Sequence, residues 1–162
     1  MHRQENVDDR DRLRDIVSAL ERLPRPVVWP VHPRTRQRME RWRIRPRGSV
    51  WLLPPVGYLD MLLLEEGARA VLTDSGGVQK EAFLLGRPCL TLRETTEWVE
   101  TVEAGANRLV GTDPARIRRA VAQLERGPAR PTAARASLYG RGRASEAIAA
   151  AVGRFLARSS RA

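Results

Sequence analysis

The chain has 162 residues, is 42% hydrophobic and carries a formal net charge of +10 at pH 7. That size suits one domain with a packed core, and no apolar run is long enough for a membrane span or a secretory leader. Cys89 is the only cysteine, which excludes an internal disulfide; it sits in an apolar run and reads as a buried thiol of a cytoplasmic protein.

The chain opens with a polar loop, His2 to Asn6. Leu13, Ile16, Val17 and Leu20 then recur at helical spacing over residues 9–22, with Asp8 or Asp9 as the cap and Pro24 as the stop. Pro26–Val31 reads as a strand, residues 35–43 as a short helix, and Ser49–Leu53 as a second strand. Leu59–Glu66 is helical and ends at Gly67. Ala68–Thr73 is a strand, Val78–Leu85 a helix stopped by Gly86, and Pro88–Leu92 a strand. Glu97–Ala104 forms a short helix and Asn107–Val110 a fifth strand. Thr112 or Asp113 caps a helix carrying Ile117, Val121 and Leu124, with Pro114 in its first turn. Gly127–Gly142 reads as a hinge or crossover. Residues 144–158 form a last helix that buries Ile148, Val152, Phe155 and Leu156.

Strands alternating with helices imply a mostly parallel sheet with helices on both faces, a Rossmann-like α/β domain. One expected element is absent. A doubly wound domain places a strand before its first helix, and that strand lies in the middle of the sheet. A domain that starts at Met1 would lack it, and its neighbours would carry unpaired backbone groups. The alternative is a domain that starts with a helix and uses another strand order.

The basic charge is nearly all arginine, since Lys80 is the only lysine. The densest stretch, Arg34 to Arg47, also holds Met39, Trp42 and Ile44. It reads as a solvated face around a few packing residues, and nucleic-acid binding is disfavoured. No metal-ligand spacing is present, and no metal site is expected.

The candidate chemistry lies where strands end. Residues 73–81, TDSGGVQKE, follow the apolar run Ala70–Leu72. An apolar strand, a glycine turn and a helix make an anion cradle from unpaired N–H groups and the helix dipole. Gly76 and Gly77 keep side chains away from those N–H groups. Ser75 can donate to a phosphate oxygen, while Asp74 is expected to bind backbone groups of the turn. Glu81 can accept from two ribose hydroxyls, or be a solvated charge paired with an arginine. Neither GxxxxGK[ST] nor GxGxxG is present, so ATP and dinucleotide sites are disfavoured. His2 and His32 both fall near the expected crevice, although His32 can equally be a histidine that fixes the Pro33 turn. Arg93, Thr95 and Thr96 follow the next strand and could line the same crevice, or one threonine could cap the next helix. Trp98 can stack on a ring or pack inward.

These segments together resemble the C-terminal domain of the non-hydrolysing UDP-N-acetylglucosamine 2-epimerases. The matching stretches are HRQEN at 2–6, PVHPRTR at 30–36, PVGYLDMLLLE at 55–65, LTDSGGVQKEAFLLGRPCLTLR at 72–93, TTEWVETVEAGANRLVG at 95–111 and YGRGRAS at 139–145. The resemblance implies the C-terminal half of a two-domain, glycosyltransferase-B-like fold. Residues 1–143 would be the incomplete UDP-binding domain. Residues 144–162 would be a helix packing on it or crossing back toward the N-terminal domain. It also implies a UDP-sugar ligand, no cofactor, and a homodimer of the full-length enzyme. UDP-binding residues by this resemblance are His2, Arg3, Ser75, Gly76, Gly77, Glu81 and Arg93, with Pro55, Val56, Tyr58 and Met61 around the uracil. His32, Thr96 and Trp98 are further crevice residues. Many members have arginine where this chain has Trp98, and the chain resembles a branch that includes epimerases of UDP-2,3-diacetamido-uronic acids.

The family reaction eliminates UDP and adds it back to invert C2. Its proton-transfer carboxylates lie in the N-terminal domain, so no catalytic residue is assigned within this chain, which is expected to be inactive alone. A non-catalytic UDP-sugar binding module and a glycosyltransferase fragment are the competing expectations.

Overall fold

Five short parallel strands carry the architecture, but they do not form one sheet. In a computed structural model that describes residues 1–127, 138–139 and 142–159, β1 (Val27–Pro30) pairs in parallel with β2 (Val50–Leu53). Separately, β3 (Val71–Thr73), β4 (Cys89–Thr91) and β5 (Asn107–Leu109) pair in parallel in that order. Among the described residues no strand joins β1 to β3. Both strands instead line one cavity of about 820 Å³. The gap expected in the middle of the sheet is therefore present.

Helices flank the strands as the alternation implies. They are α1 (Gln4–Val7), α2 (Arg10–Glu21), α3 (Pro33–Arg41), α4 (Tyr58–Gly67), α5 (Gly76–Leu85), α6 (Val99–Glu103) and α7 (Pro114–Arg126). α1 corrects the reading of residues 2–6 as a loop. It is a single turn with no side-chain cap, too short for periodicity to reveal. Asp9 caps α2 by accepting from the Asp11 and Arg12 N–H groups, and Asp113 caps α7 by accepting from Arg116 N–H at 2.6 Å. Gly86, at φ 76°, closes α5 in the left-handed conformation that glycine adopts without strain.

The core joins α2 and α7 to the strands: Leu13, Ile16, Leu90, Ile117 and Val31 are all fully or nearly fully buried. Cys89 is buried too, and desolvation pushes its thiol up to about 12, so it stays protonated. The arginine-rich stretch is the expected solvated face. Met39 and Ile44 pack inward, Arg38 lies over the Trp42 ring, and Arg34 and Arg38 both pair with Asp8.

Residues Met1–Pro131 and Thr132–Ala162 are two compact units. The second contains α8 (Ala144–Ser159). Its apolar positions Ile148, Val152, Phe155 and Leu156 are exposed, which corrects the expectation that they are buried. Helical spacing defines a stripe on a helix, and does not by itself supply a surface to cover it. The hinge expected at Gly127–Gly142 lies largely outside the described residues.

Candidate functional site

The carboxyl ends of β1 and β3 and the start of α5 meet around Asp74. This side chain is completely buried, and it does not bind the glycine turn as expected. It accepts hydrogen bonds from the His2 N–H at 3.1 Å, the Arg3 N–H at 3.0 Å and Asn6 Nδ2 at 3.2 Å. Three donors satisfy a carboxylate that would be costly to bury alone. The turn is served by Thr73, whose hydroxyl accepts from the Ser75 N–H at 3.0 Å. The N-terminal segment is thus clamped to the end of β3. Asn6 completes the clamp through the Leu92 carbonyl at 2.9 Å. Its role was not legible in the sequence, where a lone asparagine next to a helix start carries no charge or period.

This clamp places His2 beside His32, with ring centroids 5.3 Å apart. His32 also caps α3, its Nδ1 accepting from Arg34 N–H at 3.2 Å. His32 thus fixes the turn after β1, and it also lines the cavity beside β1. Desolvation lowers the His2 pKa, against the opposing attraction of Asp74. Below its ordinary 6.5 the imidazole is neutral at pH 7.

Ser75 lies two residues past the end of β3, at the N-cap of α5, and makes no capping hydrogen bond with its side chain. The first N–H groups of this ten-residue helix are the ones that an intrahelical ladder leaves unpaired. A side chain built on Gly77 would have only the Ser75 hydroxyl nearby, at 3.8 Å. Gly76 is glycine for a different reason: a Cβ there would stand 3.2 Å from Trp98 Nε1. Trp98 donates that Nε1–H to the Gly76 carbonyl at 2.8 Å, and Lys80 Nζ lies 4.1 Å from its ring centroid. Trp98 therefore packs on the turn itself.

Arg93 and Arg3 converge on Glu97. Arg93 Nη1 approaches to 2.8 Å and Arg3 Nη2 to 3.3 Å, while Glu5 lies 3.3 Å from Arg93 Nε. Hydrogen bonds from Arg93 hold the Glu97 carboxyl down at about 2. An anion entering here would share two guanidinium groups already paired with carboxylates. Thr96 neither faces solvent alone nor caps α6. Its hydroxyl donates to Gln79 Oε1 at 2.6 Å and accepts from the Trp98 N–H at 3.1 Å. Gln79 in turn accepts from Asn107, which also accepts from Thr91. This buried polar chain fixes α5 against β4 and β5.

Of the residues expected at the site, His2, His32, Pro55, Val56, Met61 and Ser75 line the cavity between β1 and β3. Tyr58 is exposed and outside that lining, at the start of α4. Glu81 is partly buried on α5, close enough to Glu65 for their charges to repel.

Comparison with known proteins agrees with this arrangement. The family model described as UDP-N-acetylglucosamine 2-epimerase matches residues 1–153. The chain belongs to this family. Over 114 residues it is 54% identical to the UDP-2,3-diacetamido-2,3-dideoxy-D-glucuronate 2-epimerase of Pseudomonas aeruginosa, covering 68% of this chain and 32% of that protein. It is 43% identical over 129 residues to the UDP-N-acetylglucosamine 2-epimerase of Methanocaldococcus jannaschii, covering 75% and 35%. The crystal structure of the M. jannaschii enzyme with UDP-GlcNAc and UDP superposes with a TM-score of 0.82 at 37% identity, covering 94% of this chain and 43% of that one. The chain spans about a third of the length of these curated relatives, and the match lies in their C-terminal part. No helix among the described residues is long and apolar enough to cross a membrane.

Proposed function

We propose that this chain supplies the UDP-binding half of a UDP-N-acetylglucosamine 2-epimerase, a cytoplasmic isomerase that acts together with the family's N-terminal domain. The observation that carries this reading is the convergence of His2, Ser75 and the open N-terminus of α5 at the ends of β1 and β3. Elimination of UDP leaves negative charge on the diphosphate. Helix N–H groups and the Ser75 hydroxyl stabilise that charge more as the bond breaks, which is how binding becomes catalysis. Arg93 and Arg3 add positive charge at the rim. Glu81 takes the ribose hydroxyls, and Pro55, Val56 and Met61 flank the base. The proton at C2 is moved by groups on the N-terminal domain, and full-length assembly as a homodimer belongs to the same reading.

A second sugar is favoured by the 54% identity to the diacetamido-uronate epimerase.

Isothermal titration of the chain with UDP tests the nucleotide half of this proposal. Glu81→Ala should weaken UDP about 5- to 20-fold while leaving the melting temperature within a degree or two, consistent with loss of one or two ligand hydrogen bonds to a charged group. Unchanged affinity in a folded variant would remove Glu81 from the site. Joined with the N-terminal half, the enzyme should convert one of the two UDP-sugars faster, which selects between the substrates.

A further inference from the structure

A second cavity, of about 290 Å³, opens on the arginine-rich face beside α3 and β2. Of its lining residues only Val31 also borders the larger cavity between β1 and β3. Its floor is apolar, built from the buried side chains of Val31, Met39 and Ile44. Its other walls carry Arg36, Arg43 and Arg45. Arg36 is half-buried and held in place, since its Nη2 donates to the Leu53 carbonyl at 3.3 Å. Arg34 and Arg38 of the same stretch are both paired with Asp8, but among the described residues no ion pair joins Arg43 or Arg45 to a carboxylate. Glu40 is the one carboxylate of the lining, so the cavity keeps an excess of positive charge.

The backbone at Arg43 is the unusual part. Past the end of α3 the Ile44 N–H donates to the Met39 carbonyl at 2.8 Å, and the Arg43 N–H to the Glu40 carbonyl at 3.1 Å. That pair of bonds is the Schellman closure of a helix, and it puts a left-handed residue, usually glycine, at the position Arg43 holds. Arg43 has φ 54°, whereas every other left-handed position among the described residues is glycine. A Cβ makes that conformation unfavourable. The helix dipole does not account for the arginine, because Arg38 and Arg41 already stand in the last turn of α3. Strain retained where glycine would remove it points to a use for the side chain. What the strain provides is an unpaired guanidinium beside an apolar floor.

We propose that this pocket binds a small organic phosphate monoester, with its apolar body on Val31, Met39 and Ile44 and its phosphate against Arg36, Arg43 and Arg45. The volume sits at the low end for small-molecule sites and is too small for a nucleotide sugar. Guanidinium forks match phosphate oxygens two at a time, and a dianion offsets more of the excess charge than a carboxylate does. The apolar floor gives the body of the ligand a surface that a bare phosphate ion would leave uncovered. This site is separate from the one proposed for UDP and does not depend on it.

The test uses the full chain and 1-naphthyl phosphate, followed by the anisotropy of its own fluorescence. The expected result is one probe per chain with a dissociation constant of roughly 0.1–1 mM, the range open to a ligand of this size. Neutral 1-naphthol and inorganic phosphate should each bind at least about 10-fold more weakly, because each lacks one half of the recognition. Excess UDP should leave the probe in place. Arg43→Gly should raise the melting temperature by about 2–4 °C while weakening the probe at least about 5-fold. Arg45→Ala should weaken it similarly with the melting temperature unchanged, and Glu40→Gln should strengthen it about 2- to 5-fold by removing the opposing charge. Arg10→Gln, on the exposed side of α2, reports on net charge alone and should leave affinity within about 2-fold. Full affinity in Arg43→Gly, or a lower melting temperature there, would give Arg43 a structural role and overturn the proposal. So would displacement of the probe by UDP, an equal loss in Arg10→Gln, or binding of 1-naphthoate as tight as that of the phosphate.

Discussion

Glu65 shows how a single side chain can conflict with its surroundings. It lies on α4 at 2% exposure, and neither carboxylate oxygen has a hydrogen-bond partner. Burial, and then repulsion from Glu81, raises its pKa from 4.5 to about 7. Between these values the folded state binds more protons than the unfolded state, so stability falls as pH rises from about 4.5 through 7. A shift of this size corresponds to at most roughly 3 kcal/mol, and solvent screening of a partly solvated carboxyl brings the expected loss to about 1–2 kcal/mol. Glu65→Gln should therefore flatten the pH dependence and raise stability at pH 8. Denaturant melts at pH 5 and pH 8 check this; equal slopes in the variant and the parent chain would exclude Glu65 as the titrating group. Nothing in the leucine-rich run of α4 marked Glu65 as buried. A constraint at the glycine turn was equally hidden: Gly76 looked like an anion position, yet its immediate constraint is the indole of Trp98.

Among the elements, the turn after β3 depends on a segment about seventy positions away. Asp74 holds the backbone of His2 and Arg3 and the side chain of Asn6. Asp74→Asn replaces a carboxylate that accepts from three donors by an amide with one acceptor oxygen. It should cost about 1–3 kcal/mol and strip hydrogen-exchange protection from residues 4–7, while α7 keeps its protection. A variant with the parental melting temperature and intact protection at residues 4–7 would show that α1 is held by other contacts. The strands and most helices were legible because caps and stops are local. Asp9, Asp113 and Gly86 act within three or four residues of the ends they define. α1 was not legible because one turn is stabilised by its tertiary clamp rather than by its own spacing.

For the molecule as a whole, the consequence of two separate sheets among the described residues is uneven stability. The Leu90 amide lies inside the three-stranded sheet, whereas the Val28 and Leu72 amides face the gap. In the chain by itself, Val28 and Leu72 should exchange at least about 10-fold faster than Leu90. Equal protection at the three sites would mean that the edges are already paired in solution. The sequence by itself determined the alternation of strands and helices and the family. Those follow from apolar period, turn chemistry and a specific run of motifs, all of which act locally. Only the tertiary structure decided that Asp74 grips the N-terminal segment, that Trp98 sits on Gly76, and that the apolar stripe of α8 is exposed. It also decided that β1 and β3 line one cavity rather than pairing with each other. These depend on which distant groups meet where water is excluded, and no spacing along the chain encodes that meeting.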